Sequence, residues 1–422
     1  MPDLRILDRI SRQTQRLGYM KRLIKRVSST PSSNLENIGN DLVNAILRKV
    51  RIPINEERYK YIKIRLFDKA YKTIKEQANL WHDGETDIEV YMELQDLYLA
   101  DPSLPSQTGK LVQEDWRRYP FYGTSLGFIR EGTFSINTRG QTLLHLVSIN
   151  DELEFQAFQE FLPEHNPFHM HKMQRLLFLY SLLENDGEVF FPLLAQLSQQ
   201  GDKEFSDREA GSFLPEIYKK VIARHRTRSL SVEMRERLSV LEKSAESIAK
   251  QRVQEKYEGG GAREEASRPR LEPYVDIGML TKPDPMKYSY AFSAFGLELA
   301  KQVRGVETSD QITEFLQRYF FETVAKAWAT ENTSIPSANE IIIGLRSAWK
   351  TISSSNGYAQ IEEIALLSGI KTLVNENKII EIATAREALI AFQKENPYKV
   401  RFTVDRLGVL AHAKFMDDST KS

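Results

Sequence analysis

"LGFIREGTFSINTRGQTLL", residues 126–144, holds two signals that differ in period. The stretch "LGFIREGTFSIN" alternates as a β-hairpin does, with Phe128, Phe134 and Ile136 as its apolar positions and Gly132 in the turn. "TRGQTLLHLV" then has helical spacing, with Thr138 as the expected N-cap. Ahead of the hairpin a helix is expected over 109–119, stopped by Pro120. The arrangement returns in "IGMLTKPDPMKYSYAFSAFGLELAKQV", residues 277–303. There Ile277-Gly278-Met279-Leu280 parallels Leu126-Gly127-Phe128-Ile129, and "AFSAFGLELA" parallels "SINTRGQTLL" around a longer loop, "KPDPMK".

The C-terminus reaches a similar pattern by another route. Three helical stretches, 337–354, 359–376 and 378–395, precede "KVRFTVDRLGVLAHAKF". In that segment Val400, Phe402 and Val404 alternate, "DRLG" turns, and Val409, Ala411, Ala413 and Phe415 alternate again.

These three stretches resemble the winged-helix domain of the winged helix-turn-helix superfamily. In that family a recognition helix leads into a small strand, a wing, a second strand and a further helix. The resemblance implies a mainly α fold of tandem winged-helix domains, with short β-hairpin wings at 126–137, 277–292 and 400–415 and helix elsewhere. It also implies one of two roles: reading DNA, or serving as an adaptor in a larger assembly.

Between the first two copies lie an apolar helix, "MQRLLFLYSLLENDGEVFFPLLAQLSQQ", and "SDREAGSFLPEIYKKVIARH", where Ser206 and Glu209 form a capping box. Leu230, Met234, Leu238, Leu241, Ala245, Ile248 and Val253 then mark a long charged connecting helix, ended by Gly259–Gly261. The expected organisation is a basic helical N-terminal arm (1–78), a winged helix (79–150), an acidic helical subdomain (151–228) and a linker helix (229–258). A second winged helix with following helices (262–332) and a C-terminal winged helix (333–416) complete it.

A net charge of zero conceals an asymmetry. Residues 1–75 carry 18 Lys and Arg against 7 Asp and Glu, whereas residues 76–222 carry 11 against 24. Such a basic arm suits nucleic acid, an acidic protein surface, or plain solvation. Leu4, Leu7, Ile10, Leu17, Leu23, Ile24 and Val27 give the arm a helical stripe, and Arg5, Arg9, Arg12 and Arg16 line one face. An Arg- and Ser-rich start also resembles a transit peptide, but Asp3 and Asp8 argue against it.

The residues expected to meet nucleic-acid phosphates are Arg12, Arg16, Lys21, Arg22, Lys25 and Arg26 of the arm, with Arg48, Lys49, Arg51, Lys60 and Lys63. Tyr59, Tyr61 and Phe67 beside those lysines suit base stacking, or else a core. Arg117 and Arg118 before the first wing, and Lys399, Arg401 and Arg406 around the third, complete the set. Arg263, Arg268 and Arg270 before the second wing and Arg386 and Lys394 before the third are the candidate base-reaching side chains.

Motifs for chemistry are absent: there is no phosphate loop, nucleophile elbow or His-Glu-x-x-His, and "GGGAREE" lacks the lysine of a phosphate loop. "EHNPFHMH" groups Glu164, His165, His169 and His171, but Pro167 spoils a helical ligand pair, so a loop is expected rather than a metal site. No cysteine and no apolar run of about 20 residues is present, which favours a cytoplasmic setting without a membrane span. The expected protein is therefore not an enzyme, and carries no cofactor, metal or small-molecule substrate. It is a DNA-binding or adaptor subunit of a larger machine, partnered by duplex DNA and by an ATPase or nuclease. A bacterial DNA-defence or chromosome-maintenance complex would suit that architecture. A purely structural, kleisin-like bridge and a transcription regulator are the alternatives.

Overall fold

The computed structural model describes residues 4–7, 17–29, 119–130, 132–148, 170–201, 203–227, 231–250, 261–283 and 288–416. Among them the chain is mainly helical, with two small antiparallel sheets. The N-terminal helices are α1 (Gly18–Ser29), α2 (Tyr119–Ser125) and α3 (Thr138–Ser148). Next come α4 (Lys172–Ser198), β1 (Phe205–Ser206), α5 (Asp207–Arg226), α6 (Val232–Lys250), α7 (Ala262–Asp276), β2 (Leu280–Thr281) and β3 (Ser289–Phe292). Helices α8 (Ala294–Gln302), α9 (Ser309–Arg318) and α10 (Phe320–Ala327) follow. The C-terminal unit is α11 (Ala338–Ile352), β4 (Ala359–Gln360), α12 (Ile361–Glu376), α13 (Ile382–Glu395), β5 (Val400–Val404) and β6 (Leu410–Phe415).

The two related stretches match bond for bond. Gly127 and Gly278 both lie at positive φ, +76° and +81°, where a side chain would be strained. The Phe128 N–H donates to the Gly123 carbonyl at 2.8 Å, as Met279 N–H does to Tyr274 at 2.9 Å. Ile129 bridges Ile136, and Leu280 pairs with Phe292 at the equivalent place. Asn137 Nδ2 and Ser293 Oγ each donate to the glycine carbonyl at 2.6 Å, and each side chain accepts from the N–H three residues on. Asn137 therefore caps α3, one residue before the Thr138 expected from sequence. Pro120 is also not a helix stop: it sits in the first turn of α2, where a missing N–H leaves no bond unmade.

Of the three expected hairpins, 400–415 forms in full as β5–β6, 277–292 shows the β2–β3 pairing with 284–287 outside the described residues, and 126–137 shows a single antiparallel bridge, Ile129–Ile136; two short strands, β1 and β4, lie outside them. Each adds to the sheet on the far side of a hairpin's second strand, giving the orders β1-β3-β2 and β4-β6-β5. Both units thus run helix, strand, helices, hairpin. The first has one helix more, α6, between α5 and α7. That helix, expected as a solvent-bathed spacer or a partner helix, packs on α5 and α7 and buries Leu238, Leu241, Ala245 and Ile248.

The Ser206–Glu209 capping box forms as read: Ser206 Oγ accepts from Glu209 N–H, and Glu209 accepts from Ser206 N–H. Helix α12 is buried on most of its surface, with Glu363 paired to Arg139, a burial that a helix reaches only when surrounded. It packs against α3, α4, α10, α11 and α13, so the C-terminal unit shares one core with the rest. No helix among the described residues is long and apolar enough to cross a membrane.

Gly261 caps α7, while Gly259 and Gly260 lie outside the described residues. Three successive glycines make this the expected internal site of proteolytic nicking. Because β1 pairs with β3 and α5 packs on α7 across that point, the nicked halves should stay together on a sizing column and part only in denaturant. Co-elution of the two fragments would bear this out; their separation in native buffer would refute it.

Candidate nucleic-acid interface

The third hairpin projects from the C-terminal unit and carries the expected cations Lys399, Arg401 and Arg406, all exposed. Its alternation sets two faces. Val400, Ala413 and Phe415 are buried, and Phe415 lies 5.5 Å from the Trp349 ring. Trp349 Nε1 in turn donates to the Gly357 carbonyl at 2.8 Å, which ties α11 to the turn that leads into β4. On the other face, Arg401 stands directly across from Lys414, and Thr403 across from His412. A like-charge pair in register costs stability; here Lys414 Nζ donates to the Asn356 carbonyl at 3.0 Å and lies over the Tyr358 ring.

The tip is built by two residues. Asp405 Oδ1 accepts from the N–H groups of Leu407 and Val409 at 2.8 and 2.9 Å, and Gly408 supplies φ +78°. Arg406 and Leu407 are thereby held out at the apex, Leu407 at 87% exposure. Tyr398, at 86%, flanks the root.

Among the described residues no carboxylate pairs with Lys399, Arg401 or Arg406. Lys378, by contrast, is committed to Glu340 and Glu376. Its hydrogen bond, with those from Ser337, holds the Glu340 carboxyl down at about 2. Beside the hairpin, α13 exposes Lys394 but also Glu387 and Glu395, with Arg386 half-buried. This outer helix face is mixed in sign. The basic surface is the hairpin.

The other expected contacts fare differently. Arg12, Arg16, Arg48, Lys49, Arg51, Lys60, Lys63, Arg117 and Arg118 lie outside the described residues, as do the aromatics Tyr59, Tyr61 and Phe67. Arg22 and Arg26 are placed on α1 without a described side chain, and Lys25 is half-buried. Lys21 is corrected: at 1% exposure it faces the core among Met20, Leu23 and Ile24, closed to an outside phosphate. Residues 4–7 are corrected too. They are not helical, and Arg5 is bound by Ser309, Glu184 and Thr313.

Before the second hairpin, α7 is buried along almost its whole length, which removes it from any DNA groove. Arg270 is held by Asp186, and Arg268 pairs with Asp207 while lying 3.7 Å over the Tyr288 ring. Nothing in the local sequence signals this, since a committed arginine and a free one read alike. Of the histidine group, His171 caps α4, and Glu164, His165 and His169 lie outside the described residues.

Compared with known protein families, curated proteins and solved structures, the chain matches none.

Proposed function

We propose that the chain is a non-catalytic, nucleic-acid-binding adaptor built of winged-helix modules, which meets duplex DNA through the hairpin of its C-terminal unit. One observation carries this reading. The unit from Ala338 to Phe415 has the order helix, strand, helix, helix, hairpin with strands arranged β4-β6-β5, and its projecting hairpin holds three cations without a counter-charge among the described residues. That arrangement is what a winged-helix module offers to phosphates. The stretch from α4 to β3 has the same strand order with the helix before its hairpin, α7, covered, which suits a module that builds the scaffold and leaves reading to another.

Titration of the intact protein with duplex DNA at about 50 and about 200 mM salt tests the reading. Wild type is expected to bind with a steep inverse dependence on salt. Replacing Lys399, Arg401 and Arg406 together by Ala should flatten the slope of log K against log salt by roughly 0.9 for each phosphate no longer neutralised. Folding should be unchanged, because all three side chains are exposed. Absence of salt-sensitive binding in wild type would sink the nucleic-acid reading.

A structural bridge to an ATPase or nuclease is the second reading. It is favoured by the apolar side chains at the hairpin, Leu407, Val409 and Tyr398, and by Glu387 and Glu395 on α13.

A further inference from the structure

Residues Leu4–Leu7 lie in a groove that treats them as a bound peptide. Nearly every backbone group is met by another element. Arg5 N–H donates to Glu188 Oε2 at 3.0 Å and Leu7 N–H to Asp186 Oδ1 at 2.9 Å. The Arg5 carbonyl accepts from Glu188 N–H at 3.2 Å, that of Ile6 from Arg237 at 2.8 Å, and that of Leu7 from Arg270 at 3.0 Å. Leu4, Ile6 and Leu7 are buried, and the Arg5 guanidinium reaches Ser309 Oγ, the Glu184 carbonyl and Thr313 Oγ1 at 2.9–3.0 Å. His225 Nε2 braces Glu188 at 2.9 Å. Helices α4, α6, α7 and α9 thus supply both donors and acceptors to the backbone of a non-helical segment, the manner in which peptides are recognised by their backbone.

We propose that this groove is a docking site for a peptide of the pattern apolar–Arg–apolar–apolar, filled in the resting chain by its own residues 4–7 and open to the same segment of a second copy. Every copy carries the matching segment, and exchanging it between copies keeps each bond described above, as in segment swapping. A neutral or acidic residue in place of Arg5 would leave the Glu184 carbonyl and two hydroxyls without their donor, so arginine sets the specificity. The inference is independent of the nucleic-acid reading.

The chain has no cysteine, so a single thiol can report the groove. In full-length Ile6→Cys, the thiol should react with a disulfide reagent at least ~10-fold faster than in Leu179→Cys, whose side chain sits in the core of α4. Adding a synthetic peptide of residues 1–10 should accelerate labelling of the Ile6→Cys chain further by occupying the groove whenever it opens, with no effect on the Leu179→Cys chain. The same peptide with Arg5→Ala should do nothing. In a second measurement, full-length Arg5→Ala should bind the labelled wild-type peptide more tightly than wild type does, its own segment competing less. Equal labelling of the two thiol variants, or no response of either chain to the peptide, would overturn the proposal.

Discussion

Gly296→Ala is expected to cost about 3 kcal/mol or more of folding stability, read as a shift of the urea midpoint without a change of slope. A Cβ there would overlap the Met279 carbonyl oxygen and stand 2.8 Å from its carbon, and that peptide is fixed by the Ser293 bonds. Backbone cannot swing aside as a flexible side chain does. Gly140→Ala should behave alike, because its Cβ would overlap the Phe128 carbonyl in the sister motif. The informative control is Gly408→Ala, where nothing lies within 4 Å but φ is +78°. There only dihedral strain is added, about 1 kcal/mol. If Gly296→Ala and Gly408→Ala cost the same, the close approach of helix to strand is not what demands glycine.

The second large effect concerns Asp186 and Arg270, 2% and 4% exposed and joined by two hydrogen bonds of 2.9 and 3.2 Å. Arg270→Ala leaves a carboxylate buried without its cation and is expected to cost about 3–5 kcal/mol, on the order found when one partner of a buried pair is removed. The loss should exceed that of any exposed pair here, such as Arg226–Glu242, which is worth less than about 1 kcal/mol. Adding Asp186→Ala should cost far less than its own single effect, since the stranded charge goes with it. A double-mutant cycle by denaturant titration measures this; additive costs would mean the two charges do not depend on each other.

What the sequence disclosed and what it hid divide along a physical line. Alternation in 400–415 and the glycine spacing around 127 and 278 were legible because hairpins and positive-φ turns are set by residues near one another. Strands β1 and β4 were not, since two residues carry no period. Each exists only because a hairpin edge is there to pair with. Leu4 and Leu7 stand three apart, so the segment reads as helix. Its true conformation is imposed by Asp186, Glu188 and Arg270, far along the chain. Lys21 misled for the same reason: composition marks the arm as basic, but only packing decides which cations turn inward. The hairpin cations Lys399, Arg401 and Arg406 lie exposed because, among the described residues, nothing distant competes for them.

The groove for residues 4–7 also bears on how the protein is made. Arg5 leaves the ribosome well before its hydroxyl partner Thr313, which is 308 positions downstream. At synthesis rates of about 5–20 residues per second, the segment waits roughly 15–60 s before its binding site is complete. For that interval Leu4, Ile6 and Leu7 are displayed on the nascent chain. A chaperone, or a finished neighbour on the same messenger, meets them before their own groove does.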